Sequence, residues 1–297
     1  MQPRGNKLGL WIIGVFLVLA IIPVSNCMAR TRPRNSSQWS TMSSTHFLIY
    51  FRPSIRRRAV YGIRKKAEHY YRKIVQDLGL MRSKYWIWSD RCKIYIYKDL
   101  EDYKENSKVP EWSSGCASPE LREIYIYPEQ EHLEDVILPH EMTHIIFYEA
   151  RGGVEIPNCV DEGVAMREEK SHKRVEASKW VVAKSFAENK YIPLEKLFGW
   201  EEYYSMSDEI AQLFYAESCL FLEFLLSEYP RSYFATFCWR LKTGKNFYDA
   251  FRMTYNRYNA FNKVNMDKLN EDYVAFVVNH SRSYIEYFRR KNDIGYK

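Results

Sequence analysis

The sequence has no internal repeat at a fixed period and no block collapsed into a few residue types, which excludes solenoid and low-complexity architectures. It has no cysteine pattern of the zinc-knuckle kind. The five cysteines after Ala29, at 92, 116, 159, 219 and 238, are odd in number and irregularly spaced, so cysteine is not the metal ligand here. No large excess of one charge is present either: 44 basic residues stand against 37 acidic ones, for a formal charge of +7. The densest basic run, Arg56-Arg57-Arg58 followed by Arg64-Lys65-Lys66, reads as a solvated helix face. No nucleic-acid-binding module is recognisable, so nucleic acid is not expected as a partner. What the chain does have is apolar content. Hydrophobic residues make up 46% and aromatics 16%, with 24 tyrosines, which excludes a disordered chain. Its 297 residues allow one large domain or two small ones.

Residues 8–24, LGLWIIGVFLVLAIIPV, form an uncharged apolar run behind Arg4 and Lys7. The run is long for a signal-peptide core and slightly short for a membrane span. Residues 1–29 therefore read as an export signal, with cleavage after Ala29, or as an uncleaved anchor attaching the chain to a membrane; lipidation of Cys27 is a third option. Cleavage would remove two basic residues and no acid, leaving +5. The expected location is extracytoplasmic, secreted or anchored at the cell envelope, where cysteine pairing is permitted. Cys116 and Cys159 are candidates for one disulfide; two separate buried thiols are the preferred alternative. Residues 30–44 are polar and read as a linker, and 45–291 as the folded domain.

Within that domain, HFLIYF at 46–51, CKIYIYK at 92–98 and REIYIY at 122–127 read as strands. Residues 56–78 carry apolar positions at helical spacing, with Gly79 as the stop. Between the second and third strands, KENSKVPEWSSGCASPEL at 104–121 reads as a long polar loop. Helical patterns dominate after 130, at 131–149, 161–170, 174–188, 207–228, 231–241, 246–257 and 266–290. The expected class is α+β: a small mixed β-sheet with a packed helix in the N-terminal half, then a mostly helical C-terminal half. The cleft is expected between the 45–130 sheet part and the 150–291 helical part. Pro139 should kink its helix or start a new one just before His140.

LPHEMTHIIFYEA at 138–150 places His140 and His144 one turn apart, so both rings can reach one ion. Glu141 points about 100° away, to the side where a water in an open coordination position would sit. The pentamer alone also suits two exposed histidines on an ordinary helix. A catalytic zinc site needs a third protein ligand. Glu162 follows 18 residues after His144, with Gly163 beside it to let its helix approach the first one closely. Gly152, Gly153 and Pro157 lie in the loop that would turn the chain back. Asp161 reads either as a partner orienting a ligand histidine or as an exposed helix-starting acid.

On these residues the chain resembles the gluzincin metallopeptidases, specifically the short bacterial peptidase MA-like domains, over about residues 45–280. HEMTH, EGVA at 162–165 after Pro157, THFLIYF at 45–51, YIPLEKLFG at 191–199 and FYAESCLFLEFLLSEYP at 214–230 carry the resemblance. Cys159 departs from it, standing where an aromatic is usual. The resemblance implies a zincin-like fold and one zinc ion held by His140, His144 and Glu162. It also implies Glu141 as general base and Tyr215 as a candidate group beside the substrate carbonyl. A tyrosine on an apolar helix is also an ordinary core residue. The implied activity is hydrolysis of peptide or protein substrates by an exported enzyme of the bacterial cell envelope. An acidic exopeptidase motif upstream of the metal helix is missing, which favours an endopeptidase. The strand at 122–127 is the expected edge for an extended substrate. The alternative is a catalytically inactive metallopeptidase-like module serving binding or assembly at the envelope.

Overall fold

The computed structural model describes residues 39–80, 86–107, 115–128, 132–169, 171–201 and 207–295. The expected signal or anchor at 1–29, with Cys27, lies outside them. Five strands form the main sheet: β1 (Ser40–Ser43), β2 (Phe47–Phe51), β3 (Cys92–Ile96), β4 (Cys116–Ser118) and β5 (Glu123–Ile126). Their order is β1-β2-β3-β5-β4, with the central three parallel and both outer strands antiparallel to their neighbours.

Register explains why this sheet has two unlike faces. Side chains alternate along a strand. Pairing sets Ile49, Ile94 and Ile124 in one row and Tyr50, Tyr95 and Tyr125 in the next. The isoleucines face the main core. The tyrosines stack on the opposite face, with ring centroids 4.9 and 5.3 Å apart. Trp39, Tyr97, Tyr103 and Tyr127 complete that second cluster.

The helix α1 (Arg57–Asp77) covers the isoleucine face through Val60, Ile63, Ala67, Tyr70, Tyr71 and Ile74, the positions that the spacing predicts. Gly79 ends it in a left-handed conformation, φ +65°. Strand β4 and the second half of the helix α2 (Leu100–Ser107) lie in the stretch read as a polar loop. The sheet also begins earlier than expected, since β1 starts at Ser40, inside the stretch read as linker. The strands β1 and β4 are short elements held by pairing rather than by their own periodicity.

The helical half comprises α3 (Leu138–Ala150), α4 (Asn158–Glu168), α5 (Ser171–Ala187), α6 (Leu194–Phe198), α7 (Asp208–Glu228), α8 (Arg231–Lys242), α9 (Phe247–Thr254) and α10 (Met266–Gly295). A two-stranded hairpin, β6 (Asn259–Ala260) and β7 (Lys263–Val264), precedes α10. The α+β class expected from the pattern is the one observed. By length and composition α7 could cross a membrane, but 61% of its apolar window is buried inside the protein, so it serves as a core helix.

Pro139 acts as expected. A π-helical turn, Leu133–Ile137, leads into α3, and the Leu138 N–H reaches back five residues to the Leu133 carbonyl. The helix is widened just where Pro139 can donate nothing, and regular α-helix follows.

Two expectations are corrected. The strand at 122–127 is not an edge: β5 lies between β3 and β4, and β4 is the outermost described strand on that side. Cys116 and Cys159 do not pair with each other, because Cys159 is a buried free thiol while Cys116 is itself disulfide-bonded.

Candidate metal centre

α3 supplies two histidines and α4 one carboxylate. The turn between them uses Gly152 and Gly153, both at positive φ (+69° and +73°), so the chain reverses within a few residues of Ala150. α4 then packs beside α3, as the sequence suggests. Gly163, however, faces elsewhere. A Cβ there would lie 2.3 Å from the Ser218 carbonyl oxygen and 2.7 Å from Leu222 Cδ2. Its missing side chain therefore lets α4 close onto α7.

His140 Nε2 and His144 Nε2 lie 3.1 Å apart. Glu162 Oε2 lies 3.4 Å from the first and 3.9 Å from the second. Ligand bonds of about 2.0–2.1 Å at tetrahedral angles would set the donor atoms about 3.4 Å apart. The three donor atoms thus form a triangle of the size that one such ion requires. His144 and Glu162 are almost wholly buried and His140 is slightly exposed, so the group opens on one side.

Both imidazoles are held by their far nitrogens. His140 Nδ1 is 2.9 Å from Glu169 Oε1, and His144 Nδ1 is 3.1 Å from Asp161 Oδ2. Each carboxylate fixes a ring so that Nε2 faces the shared point. The carboxylates are steadied in turn: Arg174 Nε donates to Glu169, and Arg151 Nη2 lies 3.7 Å from Asp161. Of Asp161's two readings, the structure supports the orienting partner. Glu169, Arg174 and Arg151 carry no motif. The one available hint was that Glu169 follows Glu162 by seven residues, two helical turns on the same side.

The carboxylates also act on the rings electrostatically. Burial alone would lower the pKa of His140, but hydrogen bonds to Glu162 and Glu169 raise it well above its ordinary value. Burial likewise lowers and Asp161 raises that of His144, with a net rise. Asp161 and Glu169 move the other way. Burial would raise their pKa values, but His144 acting on Asp161, and Arg174 and His140 acting on Glu169, hold both below the usual range.

Glu141 stands beside the triangle with its carboxylate largely buried. Burial pushes its pKa up; His140 and His144 oppose that rise most, and the Ala117 backbone N–H, which donates to it, opposes it further. Strand β4 therefore meets the metal helix at its acidic residue. The preceding Gly115 makes room for this: a Cβ there would sit 2.5 Å from Ile137 Cγ2 and 3.5 Å from Glu141 Cγ. In a strand, the N–H and C=O of one residue point to the same side. The Ala117 carbonyl is thus aimed outward, along the same edge as the bond to Glu141.

Tyr215 is not part of the triangle. It is 3% exposed on α7, its ring edge-on to Phe214. Tyr215, Ser218 and Leu222 are spaced i, i+3, i+7 and share the face of α7 that meets Gly163.

The family described as Peptidase MA superfamily matches the chain over residues 86–279, about two thirds of its length. The matched interval contains every residue placed at the centre above. No curated protein matches the chain.

Proposed function

The chain belongs to the peptidase MA superfamily, and from that premise we propose that it is a zinc-dependent endopeptidase acting on peptide or protein substrates outside the cytoplasm. The observation that carries this reading is the convergence of His140, His144 and Glu162, with both Nδ1 atoms held by carboxylates and Glu141 beside them at the strand β4. The donor set, two imidazoles and a carboxylate, fits zinc with one open position. A bound zinc ion would lower the pKa of water and polarise the scissile carbonyl.

The residues of the chain do the rest. Strand β4 offers the outward Ala117 carbonyl as an acceptor for an extended peptide, which aligns the substrate alongside Glu141. Glu141 accepts a proton from the attacking water as the new C–O bond forms. It returns that proton to the amide nitrogen as the C–N bond breaks, leaving a carboxylate and an amine. Asp161 and Glu169 keep the two rings from turning during this cycle. Tyr215 is the candidate donor to the developing oxyanion, because its face of α7 abuts the helix that carries Glu162.

Glu141→Gln tests the reading. It keeps size and shape but cannot act as a base, so zinc content should stay near one per chain while cleavage of a peptide library falls by on the order of 10²-fold or more. His140→Ala should instead lose the metal. Undiminished cleavage by Glu141→Gln, or normal zinc content in His140→Ala, would overturn the assignment. Tyr215→Phe in the same assay decides the tyrosine's role. A compartment-sensitive reporter fused to the C-terminus tests the location, which rests on the apolar run at 8–24.

A further inference from the structure

The hairpin β6–β7 ends in an unusual residue. Its two-residue loop is Phe261-Asn262, with φ +48° and +62°. A two-residue hairpin loop of type I′ has positive φ at both positions, and asparagine suits them. Phenylalanine does not: a bulky side chain in the left-handed region is strained. Its ring is also fully exposed, at 102%. The residue is thus unfavourable both for the turn and for solvent, and nothing inside the described fold rewards it.

The surroundings are basic. Arg252 reaches the Asn262 side chain at 3.5 Å, which seats the loop against α9, next to the exposed Met253. Lys263 follows the loop directly and Arg257 precedes the hairpin. Arg252 and Arg257 each have one acidic partner, Asp249 and Asp272. Even so, the stretch from the start of α8 to the end of β7, residues 231–264, holds seven Lys or Arg and one Asp, for +6, which leaves the rest of the +7 chain at +1. The exposed phenylalanine therefore sits in a stretch that is basic as a whole.

We infer that this hairpin is a docking surface for an anionic lipid bilayer, with Phe261 entering the acyl boundary and Lys263, Arg252 and Arg257 meeting the phosphates. An apolar tip rimmed by cations is the pattern that such an interface selects. The uncharged apolar run at 8–24 is consistent with a chain that works close to a membrane. The hairpin forms a sheet of its own within the helical half, separate from the sheet that contains β4.

The test uses the full chain reconstituted into two kinds of vesicle, phosphatidylglycerol mixed with phosphatidylcholine and phosphatidylcholine alone. Any anchoring through residues 8–24 is then common to both. An environment-sensitive apolar fluorophore is attached at Phe261→Cys and, as a control on α1, at Arg72→Cys. The described free thiols are buried, and the parent protein treated identically supplies the background. Expected is a rise in emission of roughly twofold at position 261 in the anionic vesicles only, reduced by added salt and by Lys263→Glu. No rise, an equal rise in neutral vesicles, or an equal rise at position 72 would overturn the inference. So would a rise produced by soluble polyglutamate as strong as that from anionic vesicles, which would assign the surface to an acidic protein. Peptide cleavage is not read in this experiment, so its outcome is independent of the activity proposed above.

Discussion

Gly163→Ala adds a single methyl group at the contact between α4 and α7, and two effects of opposite sign compete. Alanine is a better helix former than glycine by about 1 kcal/mol. Against this, the new Cβ would lie 2.3 Å from the Ser218 carbonyl oxygen and 2.8 Å from its carbon, whereas ordinary contact begins at 3.4 Å. Both atoms are backbone, so no side chain can swing aside, and the two helices must part by about 1 Å, a strain worth about 1–3 kcal/mol in a packed core. Clearance of Leu222 Cδ2 adds to it. The strain should win. Urea unfolding with a chelator present should show a lower midpoint at unchanged slope, by up to about 2 kcal/mol net. The shift matters for the site as well, because Glu162 is the neighbouring residue and metal ligation tolerates only about 0.2 Å. Zinc competition against a chromophoric chelator should therefore report an affinity lower by on the order of 10- to 100-fold, the scale of a ligand that has lost its support. A variant at least as stable as the parent would refute the packing argument. Lower stability with unchanged affinity would mean that α7 moves and α4 stays.

Glu169→Gln removes the charge that holds His140 Nδ1, so zinc affinity should fall by on the order of 10- to 100-fold without loss of a direct ligand; equal affinity in a competition titration would remove Glu169 from the centre. Glu217 is wholly buried, accepts from the Ile192 N–H and the Tyr273 hydroxyl, and burial pushes its pKa up to about 7. A carboxyl whose folded pKa is raised contributes stability that is fully present below its unfolded value and is lost as pH rises through the folded one. Glu217→Gln keeps an acceptor for Ile192 and escapes the ionisation, so its melting temperature should gain on the parent between pH 5 and pH 8, by up to about 3 kcal/mol equivalent. A difference that does not change with pH would show that Glu217 is not held neutral.

What the sequence discloses and what it hides follow from distance along the chain. The triangle of His140, His144 and Glu162 is legible because two of its residues share one helical turn, and the third lies on the next helix, behind a turn marked by Gly152 and Gly153. α1 and the long helices after 130 are legible because each buries a continuous stripe. β4 is not: three residues have no period, and Cys116–Ser118 become a strand only through pairing with β5 and the Ala117 bond to Glu141. The mistaken substrate edge follows directly from that omission, since β5 looks outermost until β4 is found. Gly163 could be recognised as a site of close approach, but not which helix approaches it, because Ser218 is 55 residues away and the local sequence cannot name the partner. The tyrosine stack was equally hidden, since it depends on register among three separated strands.

The buried charges around His140 and His144 bear on whether this is more than a helix that contains two histidines by accident. Four carboxylates, Glu141, Asp161, Glu162 and Glu169, are less than a tenth exposed, and so are Arg151 and Arg174. With the imidazoles neutral, as metal ligation requires, these six ionised groups sum to −2. Without a cation, the carboxylates favour protons on the two rings, which offset that difference; a divalent ion would displace those protons and supply the same charge. An exposed helix with chance histidines would have no reason to collect such a deficit. One divalent cation at the triangle would offset it in full. The acidic groups beyond the three ligands thus bear on the same conclusion as the spacing of the ligands, and they do so independently, because Asp161, Glu169 and Arg174 lie outside the histidine pentamer and none of them belongs to the triangle.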